Sequence, residues 1–353
     1  MSYLAVVNFF RSHKRHLLIL TVLVGLLVTS GCREKPAPEP VTRTRILMDT
    51  LVEVRLFEDN DKIMDAVFDR ISEIESLMSR TLASSEISLI NHRAGDQPVS
   101  VSSDTFTVVT QALEYARLTK GAFDPTVGPL VEAWGISSDH PRVPSEEELS
   151  HLISLIDYQR IETDEQTQSV FLQERDMAID LGGIAKGYAA DEAVKVLRAQ
   201  GIDSAYVNLG GNVWVVGAKP DGSPWRIGVR NPFDESGATF VGVLSLVDTS
   251  VVTSGTYERY FISDGVKYHH ILDPKTGYPA EGNLASVTIV SQNSMAADGL
   301  STSIFILGKE QGQALVETLP GIEAVLVDND SKVWVSSGLR DRFEVMEGFT
   351  LEH

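Results

Sequence analysis

A chain of 353 residues with 43% apolar composition is long enough to bury one large core or two interlocked lobes. Its 49 acidic residues against 30 basic ones leave a formal charge of −19, which would repel a nucleic-acid backbone, and no Lys/Arg stripe offsets it. The single cysteine, Cys32, excludes an internal disulfide and a thiolate metal cluster.

In chain order, Arg11, Lys14 and Arg15 precede an uncharged apolar run from Leu17 to Val28. That run is well short of the roughly 20 residues a membrane helix needs, so residues 1–31 read as an export signal. Val28-Thr29-Ser30-Gly31 places small residues before Cys32 and resembles the lipobox at which bacterial lipoproteins are cut and acylated, with Thr29 where an aliphatic residue is usual. An exported protein lipidated at Cys32 and facing the periplasm is predicted, the inner membrane being favoured. Residues 32–45, rich in proline and charge, read as a tether. A folded domain is expected over 46–345, with a tail over 346–353.

Residues 46–57 are a β-prone run, and Ile63, Val67, Ile71, Ile74 and Met78 follow at helical spacing. A second helix is predicted from Ser103-Asp104 and a short one over 146–156. A strand at 177–181 and a Gly-Gly turn lead to a helix over 184–200, stopped at Gly201. Short strands are expected at 205–209, 213–217, 225–229 and 241–247, then a strand at 285–291, helices at 294–307 and 309–319, and two strands over 323–335. Antiparallel strands mixed with packed helices indicate an α+β protein, with the alternating α/β class as runner-up.

Chemistry concentrates in a few segments. Asp180-Leu181-Gly182-Gly183-Ile184-Ala185-Lys186 takes a strand through glycines into a helix, where free amides and Lys186 suit an anion, although a tight turn with a solvated lysine reads equally well. In Ala297-Asp298-Gly299-Leu300-Ser301-Thr302 a four-residue interval puts a carboxylate and a hydroxyl on one helix face, a donor pair suited to magnesium; the bland alternative makes Asp298 a first-turn acid on its own helix dipole. Tyr268-His269-His270-Ile271-Leu272-Asp273 reads as a strand running into a turn, with vicinal histidines facing opposite ways, one a core residue and the other a candidate base. The segments 121–130 and 253–260 read as turn-rich aromatic loops able to clamp a flat ring.

Taken in order, Met48-Asp49-Thr50, Gly121 to Leu130, Asp180 to Tyr188, Asn208-Leu209-Gly210-Gly211-Asn212, Thr253 to Tyr260, His270 to Gly277 and Ala297 to Thr302 resemble the ApbE family of FAD:protein FMN transferases. The resemblance implies a bilobed α+β fold similar to tunnelling-fold units, FAD as substrate in a cleft, and magnesium at its pyrophosphate. It implies magnesium ligation by Asp298, Thr302 and the Gly183 carbonyl, and FAD contacts from Met48, Ala122, Phe123, Asp124, Asp180, Lys186 and Leu272. Where the family commonly has an aromatic residue after its first helix, this chain has Thr81.

The implied reaction transfers FMN to a threonine or serine hydroxyl of a partner protein and releases AMP, with His270 and Asp298 as its catalytic residues. The acceptor expected from the resemblance is a subunit of an electron-transfer complex. Two alternatives share the same residues: a magnesium-dependent FAD pyrophosphatase, and a passive lipoprotein that binds and delivers FAD.

Overall fold

The structure is a computed structural model, and it describes residues 39–352. The expected export signal, the lipidation site Cys32 and the first part of the tether lie outside the described residues. In chain order, β1 (Val41–Leu47) and β2 (Thr50–Leu56) form a hairpin, followed by α1 (Asp61–Met78), α2 (Glu86–His92), β3 (Val99–Ser100), α3 (Ser103–Leu118), α4 (Gly128–Trp134) and α5 (Glu146–Ser154). β4 (Ile161–Asp164), β5 (Ser169–Leu172) and α6 (Ala185–Ala199) come next. Seven strands follow: β6 (Ala205–Leu209), β7 (Asn212–Val216), β8 (Trp225–Arg230), β9 (Phe240–Leu246), β10 (Thr249–Gly255), β11 (Tyr260–Ser263) and β12 (Val266–His269). β13 (Leu284–Ser291), α7 (Ser294–Leu307), α8 (Lys309–Val316), β14 (Ile322–Asp328), β15 (Lys332–Val335), β16 (Phe343–Val345) and β17 (Thr350–Glu352) complete the described chain.

One nine-stranded sheet, ordered β1-β2-β6-β7-β10-β13-β14-β15-β17, organises everything else. Its central strands have apolar residues on both faces, because each face is covered. β14 shows this in a single strand: Ala324 and Leu326 join the core beneath the helices, while Val325 and Val327 point the other way. The second face packs on the small sheet β16-β9-β8 through Val229, Val241, Leu244 and Leu246. The fold is therefore α+β with antiparallel sheets, and the two expected lobes are layers on opposite faces of one shared sheet.

The helices form where the apolar spacing requires. α1 buries Ile63, Val67, Ile71, Ile74 and Met78, and the Asn60 side chain accepts the Ile63 N–H to cap it. α7 is apolar nearly all round, as a helix enclosed between the sheet and other helices must be.

Several expectations need correction. Residues 177–181 are extended but form no strand; only Ala178 bridges, to Val127. This stretch lies along a loop instead of a ladder, with Gly128 N–H donating to Ala178 O (3.2 Å) and Asp180 N–H to Pro125 O (2.8 Å). The 253–260 loop is shorter than expected, since Thr253–Gly255 finish β10 and Tyr260 begins β11. β12 stops at His269, so Leu272 makes only an isolated bridge to Pro279. β1 begins inside the expected tether, and the expected tail supplies β17, which pairs parallel to β15.

Candidate active site

Two helix starts meet at the site, and each is capped by a carboxylate from the other. α6 has no side-chain cap of its own; its Gly187 N–H donates to Asp298 Oδ2 of α7 at 2.8 Å. In return Asp191 of α6 accepts Ser294 N–H and Met295 N–H, both at 2.9 Å, at the start of α7. Such close approach needs glycine at 187, where an added Cβ would meet the Ser294 carbonyl and come within 2.7 Å of Asp298 Cβ. Asp298 is 4% exposed and is the fifth residue of α7, so it is no first-turn acid of its own helix.

One turn further along α7 lies Thr302. A Cβ built on Gly183 would sit 3.5 Å from Thr302 Oγ1 and 3.2 Å from Phe123 Cε2, so the Gly182-Gly183 turn is wedged between α7 and the 121–128 loop. Gly183, Asp298 and Thr302, the magnesium set implied by the family resemblance, thus lie on neighbouring elements. Their donors are a carbonyl, a carboxylate and a hydroxyl, hard oxygens of the kind magnesium takes. The protein bonds only Oδ2 of Asp298 among the described residues, and that bond leaves the other oxygen for a cation. The set fits the ion by its chemistry. No group of three His, Cys, Asp or Glu side chains offers an alternative metal cage among the described residues.

Lys186 lies on the first turn of α6 and donates to Gly182 O at 3.1 Å, which keeps its charge beside the turn. Asp180 builds that turn: Oδ1 accepts Gly182 N–H at 2.7 Å, and Oδ2 pairs with Arg80 Nε at 2.9 Å. Sequence reasoning missed Arg80, whose partner is a hundred residues distant in the chain. Thr81 is exposed, with its hydroxyl 3.1 Å from Ser79 Oγ.

Ala122 and Phe123 are buried against the site, Phe123 N–H donating to Thr119 Oγ1 at 3.1 Å. Asp124 turns inward. Its Oδ1 accepts Thr126 N–H and Oγ–H, and Oδ2 accepts Tyr158 N–H at 3.0 Å. Burial raises its pKa against the pull of these bonds. Its carboxylate therefore shapes the loop. Leu272 packs with Leu130, Trp134 and Leu149 in a satellite cluster.

Met48 and Asp49 form the two-residue turn between β1 and β2 with φ of 53° and 56°, left-handed values uncommon for residues other than glycine. The strain is held from outside: Met48 N–H donates to Glu75 Oε1 at 2.8 Å, and Arg259 Nη2 donates to Asp49 O at 3.0 Å. Neither partner was found in the sequence, since each is far away and in a different element.

The vicinal histidines separate as expected. His269 is buried, with Nε2 3.2 Å from Ala280 O and its ring edge on Phe305. His270 sits beyond the strand, Nδ1 3.2 Å from Arg259 O. With Nδ1 donating to that carbonyl, Nε2 is the unprotonated acceptor. Burial first, and then the nearby Lys186 charge, lower the His270 pKa to about 4; burial likewise takes His269 to about 4. Glu258 reaches solvent yet is ringed by protein, which pushes its carboxyl up to about 7 against the pull of Lys186, Arg259 and Arg230.

A glycine turn, a crossed pair of helix starts with one uncommitted carboxylate oxygen, and a neutral imidazole supply chemistry suited to a phosphate-bearing ligand. The chain belongs to the ApbE family, whose model matches residues 48–326. It is 38% identical over 302 residues to a FAD:protein FMN transferase of Klebsiella pneumoniae, covering 86% of this chain and 93% of that protein. It is 34% identical over 351 residues to a FAD:protein FMN transferase of Treponema pallidum, covering 94% and 97%. The crystal structure of an ApbE protein from Thermotoga maritima superposes with a TM-score of 0.79 at 34% identity, over 86% of this chain and 99% of that one. The flavin transferase ApbE from Vibrio cholerae gives 0.78 at 30% identity, again over 86% and 99%.

Proposed function

We propose that this protein is a FAD:protein FMN transferase, moving FMN from FAD to a threonine or serine hydroxyl of a partner protein. The acceptor oxygen attacks the FMN-side phosphorus, the new P–O bond forms as the P–O bond to AMP breaks, and AMP leaves. His270 Nε2 takes the acceptor proton, and the observation carrying this role is the Nδ1 contact to Arg259 O that leaves Nε2 free. Lys186 and the Gly183 N–H, the turn amide left without an acceptor among the described residues, face the pyrophosphate. Magnesium, when held by Asp298, Thr302 and the Gly183 carbonyl, supplies neutralising charge to the phosphoryl oxygens. Positioning carries the rest, because phosphoryl transfer asks little covalent chemistry of the protein.

Purified protein incubated with FAD, magnesium and a candidate acceptor tests the assignment. Flavin fixed to the acceptor supports it. Free FMN plus AMP identifies a pyrophosphatase, and unchanged bound FAD a passive carrier.

The same reading places the protein outside the cytoplasmic membrane, anchored through Cys32 to the inner membrane and facing an electron-transfer complex subunit as acceptor. Support comes from the leader and lipobox-like sequence. No helix among the described residues is long and apolar enough to cross a membrane. Cys32→Ser should move the protein from washed membranes to the soluble fraction with transfer intact; retention in the membranes would count against the anchor.

A further inference from the structure

Arg259 lies outside the strands and helices, in residues 256–259 that connect β10 to β11. Its carbonyl accepts twice from His270, from the backbone N–H at 3.0 Å, which continues the β11–β12 pairing by one residue, and from Nδ1 at 3.2 Å. Two donors on one oxygen fix both the backbone and the ring of the histidine. The accuracy of that arrangement depends on how firmly residue 259 is held.

The side chain supplies the hold. Nη2 donates to Asp49 O in the strained β1–β2 turn at 3.0 Å, and Nη1 contacts Ser137 Oγ, in the loop after α4, at 3.3 Å. A planar guanidinium spans two acceptors in fixed directions, which a lysine ammonium on its flexible stem does not. Both acceptors are neutral, so the cation is not cancelled by them and adds to the field that keeps His270 uncharged. Segments 122 and 210 residues away in sequence are thereby fastened to the one carbonyl that orients the base.

We propose that Arg259 is a positioning residue for transfer, latching the Met48-Asp49 turn and the Ser137 loop so that its own carbonyl holds His270 in the Nδ1-protonated tautomer with Nε2 aimed for proton abstraction. The inference rests on the transferase reading for its kinetic consequence and on geometry alone for its structural one. Arg259 touches no reacting atom.

Arg259→Gln, Arg259→Lys and Ser137→Ala test it. Transfer turnover should fall about tenfold in Arg259→Gln, part of the roughly 100-fold a general base supplies, and less in the other two, while FAD affinity from flavin fluorescence stays within about threefold. The acid limb of the pH–rate profile should move upward in Arg259→Gln, where the cation is gone, and stay in place in Ser137→Ala. Nitrogen-15 spectra of labelled histidine should show the Nδ1-protonated form of His270 in the parent and a mixture of tautomers in Arg259→Gln. An unchanged tautomer, or a turnover loss matched by an equal loss of FAD affinity, overturns the proposal. Should Arg259→Gln fail to fold, Arg259→Lys and Ser137→Ala decide the matter by the same readings. A parent protein that labels no acceptor would defeat the transferase reading alone, because the tautomer is read without an acceptor.

Discussion

Asp191 and Asp298 occupy matching places where α6 and α7 cross, and the contrast between them separates holding a fold from doing chemistry. Asp191 accepts from Trp214 Nε1, Ser294 N–H and Met295 N–H, three donors at 2.9 Å, which use both oxygens. Asp298 accepts one side-chain bond, from Gly187 N–H, and its other oxygen has no partner among the described residues. Equal charge thus gives one saturated carboxylate, partly buried at Asp191, and one left with capacity, buried at Asp298. Spare capacity of that kind is what the proposed magnesium would use.

The comparison breaks most visibly at Asp298. Asp298→Ala should lower transfer by more than about 100-fold and weaken FAD binding, with little recovery at high magnesium, because the only charged ligand of the set is gone. Magnesium titrations of the transfer rate check this, and recovery to parental rates at high magnesium would return Asp298 to a purely capping role.

His270→Ala comes next, with a loss of roughly 100-fold in transfer and a much smaller change in FAD affinity, the pattern of a group acting in the transition state. The pH profile adds a sign. A base works when deprotonated, and a pKa lowered to about 4 keeps it so well below the usual histidine range. With Glu258, whose carboxyl titrates at about 7, replaced in Glu258→Gln, transfer should hold steady as pH drops from 7 to 5.5; a fall centred near 6.5 in that background would mean that His270 is not held as described.

Thr302→Ala removes a neutral ligand while the carboxylate stays, so a loss of about tenfold that high magnesium largely restores is expected. Rescue in this variant and its absence in Asp298→Ala is the sharpest form of the contrast, since a lost helix cap has no reason to respond to metal.

Asp191→Ala should change transfer least at saturating magnesium. It strands buried donors at the start of α7 and should destabilise the fold by roughly 1–3 kcal/mol, measured by denaturant melts. Strong magnesium dependence in this variant would erase the distinction between the two carboxylates.

Much of this was legible in the sequence where the physics is local. Apolar spacing located α1 and α3, the Gly-Gly turn and Gly201 bounded α6, and the Gly182-Gly183 and Asp298–Thr302 segments stood out by residue type and interval as candidates, joined into one site by the family resemblance. What escaped depends on partners distant in the chain. Arg80, Glu75 and Arg259 are ordinary charged residues until the fold sets them beside Asp180, Met48 and Asp49. β1 was missed for another reason. As an edge strand it needs little apolar surface, and its Arg43 and Arg45 pair with acids of α1, so a strand presents the composition of a linker. Asp180 and Asp124 teach the converse: both were singled out, and both spend their oxygens largely on the turns that carry them.

The parallel pairing of β17 with β15 bears on how the protein avoids its own kind. Without Thr350–Glu352, the edge formed by Lys332–Val335 would present unpaired backbone beside Val333 and Val335, a template for strand addition from another chain. Lys309 reinforces the seal from beneath, bonded to Asp328 at 2.6 Å and to Glu352 at 2.5 Å. A chain ending at residue 345 would retain every group assigned to catalysis, so loss of β17 should appear as aggregation more than as lost turnover.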